Sequence, residues 1–277
     1  MASNEDLQEP LLERLSVTSE PAEPSYSKSF SKKRKRGTEP EPGKSAKKEK
    51  SKNSTAGYDE SELDVENGIN RAFAHMDNRL LADYLAQRTR TYEKDLSAIE
   101  WEERYLPANA IQDATTWDKP RNLENLPAFL EKFAGNTTKL WSASKKNGSP
   151  HTIIVAGAGL RAADLARAVR KYQTNDVMVA KLFAKHMKVK EQVSMLKFKR
   201  TGIAVGTPKR LQDLMEDGAL AIDRLERIII DCSHIDVKKR GILEMQDTQI
   251  PLMSLLTQNS FRDRYEAEKD TIKLFFY

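Results

Sequence analysis

The sequence predicts an α/β protein: one parallel sheet with flanking helices, preceded by a helical segment and a disordered N-terminal tail. Three observations lead to this fold class. From His151 onward, short apolar runs alternate with helical stretches, an order typical of a parallel α/β sheet. These apolar runs are continuous, as in strands that are covered by helices on both faces. Before them, residues 1–57 have a composition that does not support a packed core.

The tail, residues 1–57, is rich in Glu, Ser, Pro and Lys and poor in aromatic and branched residues. It cannot bury enough apolar surface to offset its backbone entropy, so we expect it to be disordered. It contains a basic block, followed by a looser run of lysines. Such clusters suit a nuclear import receptor or the phosphates of RNA, and a solvated tail is the alternative. The block consists of Lys32, Lys33, Arg34, Lys35 and Arg36.

Residues 58–150 are predicted to form a helical preamble followed by an irregular wrap. Apolar residues recur at spacings of three and four up to about Arg104, which indicates helix packed on the domain behind it. Three prolines then predict an irregular path that ends in a short helix at Leu126–Phe133. We expect the three tryptophans of this segment to anchor the wrap on the core, with stacking on a base as the alternative.

Residues 151–277 carry the predicted sheet, in which each strand before the last is followed by a helix. Apolar runs bounded by turn residues mark the strands, and amphipathic stretches mark the helices. The predicted strands are residues 151–157, 176–182, 202–206, 224–231 and 270–277, and the predicted helices are residues 160–172, 185–196, 207–216 and 250–258.

Composition narrows the protein class. The single cysteine, Cys232, excludes an intramolecular disulfide and fits a reducing compartment. No apolar run approaches the roughly 20 residues that a membrane span needs, and the N-terminus lacks the apolar core of a signal peptide. We therefore expect a soluble intracellular protein with no membrane partner.

The turn after the first strand has the spacing of a dinucleotide-binding fingerprint. Gly157, Gly159 and Ala162 fit G-x-G-x-x-[GA] between a strand and a helix, where glycines let a pyrophosphate approach the helix N-terminus. That fold also places an acid at the end of its second strand, whereas here Asp176 lies at the beginning of that strand. A nucleotide- or dinucleotide-dependent enzyme is therefore an alternative, as is a tight turn with no ligand.

The turn after the third strand reads as a phosphate-binding turn. Thr207 is placed to cap the next helix with its side-chain oxygen, and Pro208 falls at the first helical position. Lys209 and Arg210 complete the first turn, where cations oppose the helix dipole unless an anion lies nearby. A plain helix cap with two solvated charges is the alternative.

This pattern resembles the first RecA-like domain of DEAD-box RNA helicases over residues 151–277. The run VGTPKRL matches that family's V-A-T-P-G-R-L motif, which touches the RNA backbone, with Lys209 in place of glycine. An upstream strand–turn–helix of the family touches RNA through an arginine, and its counterpart here is Arg161. The resemblance implies a single RecA-like sheet on which Arg161, Thr207, Lys209 and Arg210 line one RNA-facing surface.

The family's D-E-A-D motif is degenerate in this chain, where Asp231, Cys232, Ser233 and His234 occupy its place. Cys232 replaces the glutamate that would act on water, and no G-x-x-x-x-G-K-[ST] loop or second RecA-like domain is found. One Cys and one His do not supply the ligands that zinc needs. The sequence therefore predicts a protein without catalytic residues, cofactor or metal.

A closer resemblance is carried by KLFAKHMK, the following EQ and VGTPKRL, together with the terminal IKLFFY. On these runs the chain is identified as a member of the Cms family, nuclear proteins associated with the early small-subunit pre-ribosome. The resemblance covers about residues 67–277. It implies a non-enzymatic ribosome-assembly factor of the nucleus and nucleolus, whose partners are pre-ribosomal RNA and small-subunit pre-ribosome proteins. A pure protein-interaction module is a further alternative.

Overall fold

A computed structural model describes residues 60–184 and 187–277, which belong to one compact unit. The predicted disorder of residues 1–57 and the basic block at Lys32–Arg36 lie outside the described residues. None of the helices in the described ranges is long and apolar enough to cross a membrane.

The segment before the wrap is a series of short elements. The first two strands, β1 (Leu63–Asp64) and β2 (Ile69–Asn70), have two residues each and form a hairpin. Gly68 lies in its turn with a φ of 64°, a left-handed conformation that glycine adopts readily. Helix is confirmed in three stretches after the hairpin, but the predicted helical character is wrong for the hairpin itself, because apolar spacing does not reveal a chain reversal. The helices that follow are α1 (Ala72–His75), α2 (Asn78–Tyr92) and α3 (Ala98–Arg104).

The remaining elements alternate along the chain as predicted, with one additional helix, α9, that the sequence pattern did not indicate. The short helix predicted at the end of the wrap is confirmed with the same bounds. In chain order, the elements are α4 (Leu126–Phe133), β3 (Thr152–Val155), α5 (Gly159–Ala168), β4 (Met178–Leu182), α6 (Val189–Phe198), β5 (Thr201–Gly206), α7 (Pro208–Glu216), β6 (Arg227–Ile230), α8 (Gln246–Leu256), α9 (Asn259–Tyr265) and β7 (Lys273–Phe276).

The five longer strands form one parallel sheet in the order β4-β5-β3-β6-β7. Successive residues of a strand point to opposite faces, so Ile153 and Ile228 belong to one buried cluster and Ile154 and Ile229 to the other. The first cluster includes side chains of α2, α7 and α8, and the second includes side chains of α4 and α5. This three-layer arrangement confirms the predicted single RecA-like sheet with flanking helices.

Aromatic packing joins the wrap to the last strand. The ring of Phe129 on α4 lies 5.4 Å from Trp117, 6.1 Å from Phe275 and 4.7 Å from Tyr277, measured between ring centroids. The wrap also reaches the edge of the sheet, where Ile111 forms a parallel bridge with Leu274. Trp117 thus has the anchoring role expected of it, and Phe129 is the centre of this contact.

We predict that Phe129→Ala lowers the free energy of unfolding by about 3–5 kcal/mol, because it removes a fully buried ring and leaves a cavity. Chemical denaturation of the purified protein measures this loss. The matched control is Phe198→Ala on α6, whose ring is 83% exposed, and we expect it to change stability by no more than about 0.5 kcal/mol. Equal effects of the two substitutions would contradict the proposed packing.

Candidate functional site

The carboxyl edge of the sheet brings together the turns that the sequence singled out. Because all five strands run in the same direction, the chain leaves β3, β5 and β6 at this edge. Asp231 follows β6, the Gly157 turn follows β3, and Thr207 follows β5. Since β3 lies between β5 and β6, Thr207 and Asp231 are on opposite sides of the Gly157 turn.

Arg161 forms a buried two-pronged ion pair with Asp231. Its Nε lies 2.8 Å from Oδ2 of the carboxylate and its Nη2 lies 2.9 Å from Oδ1. The side chains of Arg161 and Asp231 are only 12% and 1% exposed, respectively. The carboxylate retained from the degenerate motif is thus held by a cation on α5. This ion pair engages the guanidinium that the sequence predicted to face RNA, so the structure shows Arg161 bound to Asp231.

Residues after Asp231 are fixed by backbone hydrogen bonds. The amides of Cys232 and Ser233 donate to the carbonyl oxygen of Tyr277 over 2.8 and 2.9 Å. His234 forms an antiparallel bridge with Ile69, so this segment pairs with β2. Burial, followed by the positive charge of Arg161, lowers the pKa of His234. The segment after Asp231 therefore forms backbone hydrogen bonds with Tyr277 and pairs with β2.

Cys232 is completely buried, and its Sγ lies 3.3 Å from the carbonyl oxygen of Tyr277. Desolvation raises the pKa of the thiol to about 12, and the nearby charges of Asp231 and Glu244 act in the same direction. A thiol with so high a pKa is a poor nucleophile at neutral pH. Among the described residues, no group of three or more His, Cys, Asp or Glu side chains is placed to hold a metal ion.

In the partly exposed glycine turn after β3, Gly157 packs against a side chain of the protein itself. A Cβ atom added to Gly157 would lie 3.3 Å from the Cβ of Ile242, so the chain has packed an apolar residue against this glycine. Helix α5 begins at Gly159, and Ala162 is fully buried in the second core cluster. The tight packing of Ile242 explains Gly157 without a pyrophosphate.

The turn between β5 and α7 has the predicted position but not the predicted cap. Pro208 is the first residue of α7, as expected, and Thr207 is the N-cap residue. The side chain of Thr207 makes no capping hydrogen bond, so the prediction of a hydroxyl cap is wrong. The Thr207 amide instead donates to the carbonyl oxygen of Leu182 over 3.2 Å, which ties the turn to the end of β4. The first N–H groups of α7 are therefore left without a cap from Thr207.

Arg210 and Lys209 face different environments. Arg210 is buried, and its Nη1 donates to the carbonyl oxygen of Met187 over 2.9 Å and to Oε1 of Gln192 over 2.7 Å. The side chain of Lys209 is 71% exposed and lies 3.0 Å from Asp213, which raises its pKa. Of these two adjacent cations, only Lys209 is available to a ligand.

Arg210 holds the chain that leads into α6 against the first turn of α7. Gln192, which accepts from Arg210, also donates to the carbonyl oxygens of Lys181 and Phe183. Lys188 and Lys190 lie directly after the Met187 carbonyl and are exposed. The buried arginine thus brings exposed lysines to the same end of the sheet as Lys209. This role of Arg210 could not be predicted from the sequence, because the residue type alone does not show whether an arginine is buried or exposed.

The pattern also missed Arg121, which joins the wrap to the end of the sheet. Its Nη1 donates to the carbonyl oxygens of Phe73 and Phe276 over 2.9 and 2.6 Å, and its Nη2 donates to that of Ala114 over 3.3 Å. Burial lowers the pKa of this guanidinium. Its position in a proline-rich wrap offered no periodicity from which its burial could have been deduced.

Residues 18–277 match the model of one protein family, described as CMS1, a U3-containing 90S pre-ribosomal complex subunit. The chain belongs to this family. The predicted membership of the Cms family, drawn from runs within residues 67–277, is confirmed, and it assigns the chain to ribosome biogenesis.

Two relatives and one solved structure define the extent of the similarity. Protein CMS1 of Chaetomium thermophilum is 56% identical over 234 residues, covering 84% of this chain and 93% of the relative. Protein cms1 of Schizosaccharomyces pombe is 27% identical over 197 residues, covering 71% of this chain and 69% of the relative. The structure of Saccharomyces cerevisiae dbp5 bound to nup159 and gle1 is 17% identical, with a TM-score of 0.35 over 55% of this chain and 34% of that one. At this TM-score the structural match adds nothing to the sheet topology.

We predict that Cys232 resists thiol reagents in the folded protein and reacts fully after denaturation, because its thiol is buried and its pKa is near 12. Colorimetric thiol labelling near pH 8, with and without guanidinium, measures this difference. Val237→Cys provides the matched control, since residue 237 is 98% exposed and the new thiol should react at once. Rapid labelling of the unsubstituted folded protein would show that the segment after β6 opens to solvent.

Proposed function

We propose that this chain is a non-enzymatic subunit of the 90S pre-ribosomal complex that binds pre-ribosomal RNA at the turn between β5 and α7. The observation that carries the proposal is the distribution of charge at the carboxyl edge of the sheet. Its one retained motif acid, Asp231, is neutralised by Arg161, while exposed lysines remain at the neighbouring turn. Such an edge suits a phosphate backbone better than metal-dependent hydrolysis.

The case against catalysis rests on charge. Hydrolysis of a nucleotide requires carboxylates that can hold Mg²⁺ and orient water. Both oxygens of Asp231 are engaged by Arg161, and the next residue is a buried thiol with a raised pKa. Breaking a buried ion pair to free one carboxylate costs about 3–5 kcal/mol, which opposes recruitment of a metal here. The packing of Ile242 against Gly157 accounts for this glycine without a dinucleotide, so the turn adds no support for a dinucleotide-dependent enzyme.

The case for RNA binding rests on the exposed groups at the N-terminus of α7. Thr207 has a hydroxyl that caps nothing, and the first N–H groups of a helix attract anions. Lys209 is exposed beside them, and Lys188 lies on the segment that Arg210 holds against α7. Arg161 and Arg210 act as positioning residues in this proposal. Phosphate contacts by Thr207, Lys209 and Lys188 would fix the register of RNA without reading its sequence.

A subunit of the 90S complex works where ribosomal RNA is assembled, so we place the chain in the nucleus and nucleolus, with pre-ribosomal RNA and small-subunit pre-ribosome proteins as partners. The basic block at Lys32–Arg36 supplies a binding element for an import receptor. The family description supports this placement, because it names the U3-containing complex.

We expect the double variant Lys188→Gln with Lys209→Gln to bind single-stranded RNA more weakly and with a smaller salt dependence. Each lost phosphate contact reduces the slope of log affinity against log salt by about 0.7, so two contacts reduce it by about 1.4. Fluorescence anisotropy with the full chain at several salt concentrations measures the slope. The matched control, Lys145→Gln with Lys199→Gln, removes the same charge from the opposite edge of the sheet and should leave the slope less affected. Identical slopes for the two double variants would remove the β5–α7 turn as the RNA-binding surface.

We also expect no ATP hydrolysis that depends on Asp231. Phosphate release by the purified chain, in the presence of Mg²⁺ and RNA, should equal that of a folded Asp231→Asn variant. Circular dichroism establishes that the variant is folded. Turnover that scales with protein concentration and disappears in the variant would identify the chain as an enzyme and overturn the non-enzymatic assignment.

A further inference from the structure

A cavity of about 490 Å³ lies between the β1–β2 hairpin and the wrap, at the end of the sheet where the chain leaves β6. Its lining includes Asn70 from the hairpin, Trp117 and Arg121 from the wrap, and Ser233 from the segment after β6. None of the motifs found in the sequence accounts for this cavity, and it does not include the β5–α7 turn.

Three side chains that line the cavity each have a buried nitrogen donor without a hydrogen-bond partner among the described residues: Asn70 Nδ2, Trp117 Nε1 and Arg121 Nε. These residues are 0%, 6% and 3% exposed, respectively. The orientation of the Asn70 amide is fixed, because its Oδ1 accepts from the amide of Ala72 over 3.0 Å. Buried polar groups in folded proteins nearly always have a partner, so three such groups around one cavity require an explanation. All three are donors, and the Ser233 hydroxyl, a fourth unpartnered group in the lining, can also donate, so an acceptor would satisfy all four.

The charges around the cavity indicate which acceptor fits. Arg121 is a buried cation that donates to three backbone carbonyls, with no carboxylate among these acceptors. Two acids also line the cavity. Asp64 is already bound by Asn67 and Arg71, which hold its pKa at about 2. Asp118 is exposed beside Lys119. A buried cation without a contacting anion is costly, and its desolvation is offset when an anion binds.

We propose that this cavity binds a small oxyanion, the phosphate or carboxylate group of a small molecule, which accepts hydrogen bonds from Asn70, Trp117 and Arg121. Charge-assisted bonds of this kind are among the strongest that a protein makes, and a planar guanidinium suits both groups. The cavity is larger than either group alone, so the remainder of the ligand occupies the volume toward the exposed Lys119. The site is separate from the RNA-binding turn and does not depend on it.

The indole N–H of Trp117 reports binding directly. The chain has three tryptophans, so its ¹⁵N-labelled form gives three indole resonances, and Trp117→Phe identifies the one from Trp117. Titration of the full chain with inorganic phosphate, and separately with acetate, should shift this resonance in a saturable manner. The titrant that binds with the higher affinity shows whether the site prefers phosphate or carboxylate. A Trp117 resonance that follows neither titrant at constant ionic strength would overturn the proposal.

Asn70→Asp provides the decisive variant. An aspartate keeps the acceptor for the Ala72 amide but removes the donor and adds a negative charge, so we expect affinity for the oxyanion to fall about tenfold or more. Asn136→Asp is the matched control, because Asn136 Oδ1 also accepts from a backbone amide, that of Thr138, but the residue is exposed and does not line the cavity. Equal affinities for the two variants, each with the native pattern of amide resonances, would contradict the site.

Discussion

The ion pair between Arg161 and Asp231 is the contact on which the carboxyl edge of the sheet depends. It joins the helix that follows β3 to the end of β6, and it engages both carboxylate oxygens of Asp231. The residues after Asp231 pair with the backbone of β2 and of Tyr277. The carboxyl edge is thereby a structural joint, and Cys232 is buried within it.

At the β5–α7 turn, too, a charged side chain of a recognised motif is bound within the protein. Arg210 occupies a position where a helicase-like motif suggests contact with RNA, yet its guanidinium is buried against Gln192 and the Met187 carbonyl. The neighbouring Lys209 stays in solvent. A motif match therefore identifies the position of a side chain in the fold, whereas the partner of that side chain depends on groups that are distant in the sequence.

This difference explains what could be predicted from the sequence. The existence and order of the strands, the helix at Leu126–Phe133 and Pro208 at a helix start depend on local properties, set by periodicity and backbone geometry within a few residues. The predicted strands extended up to three residues beyond the observed bounds. The hairpin at Gly68 is local, but it was missed because the spacing of its apolar residues also fits a helix. The partner of Arg161 is not local, since Arg161 and Asp231 are 70 residues apart. The cavity beside Arg121 could not be predicted for the same reason, because its walls come from three separate stretches of chain.

The bond from Arg121 to the carbonyl oxygen of Phe276 spans 155 residues, and the amide of Gln112 likewise donates to Leu274 on β7. Contacts between such distant parts of a chain form slowly, since a long loop must close before they contribute to stability. During synthesis, the wrap has no edge strand to pair with until β7 has left the ribosome. The wrap would therefore stay exposed to chaperones, or to an assembly partner, throughout translation of the sheet.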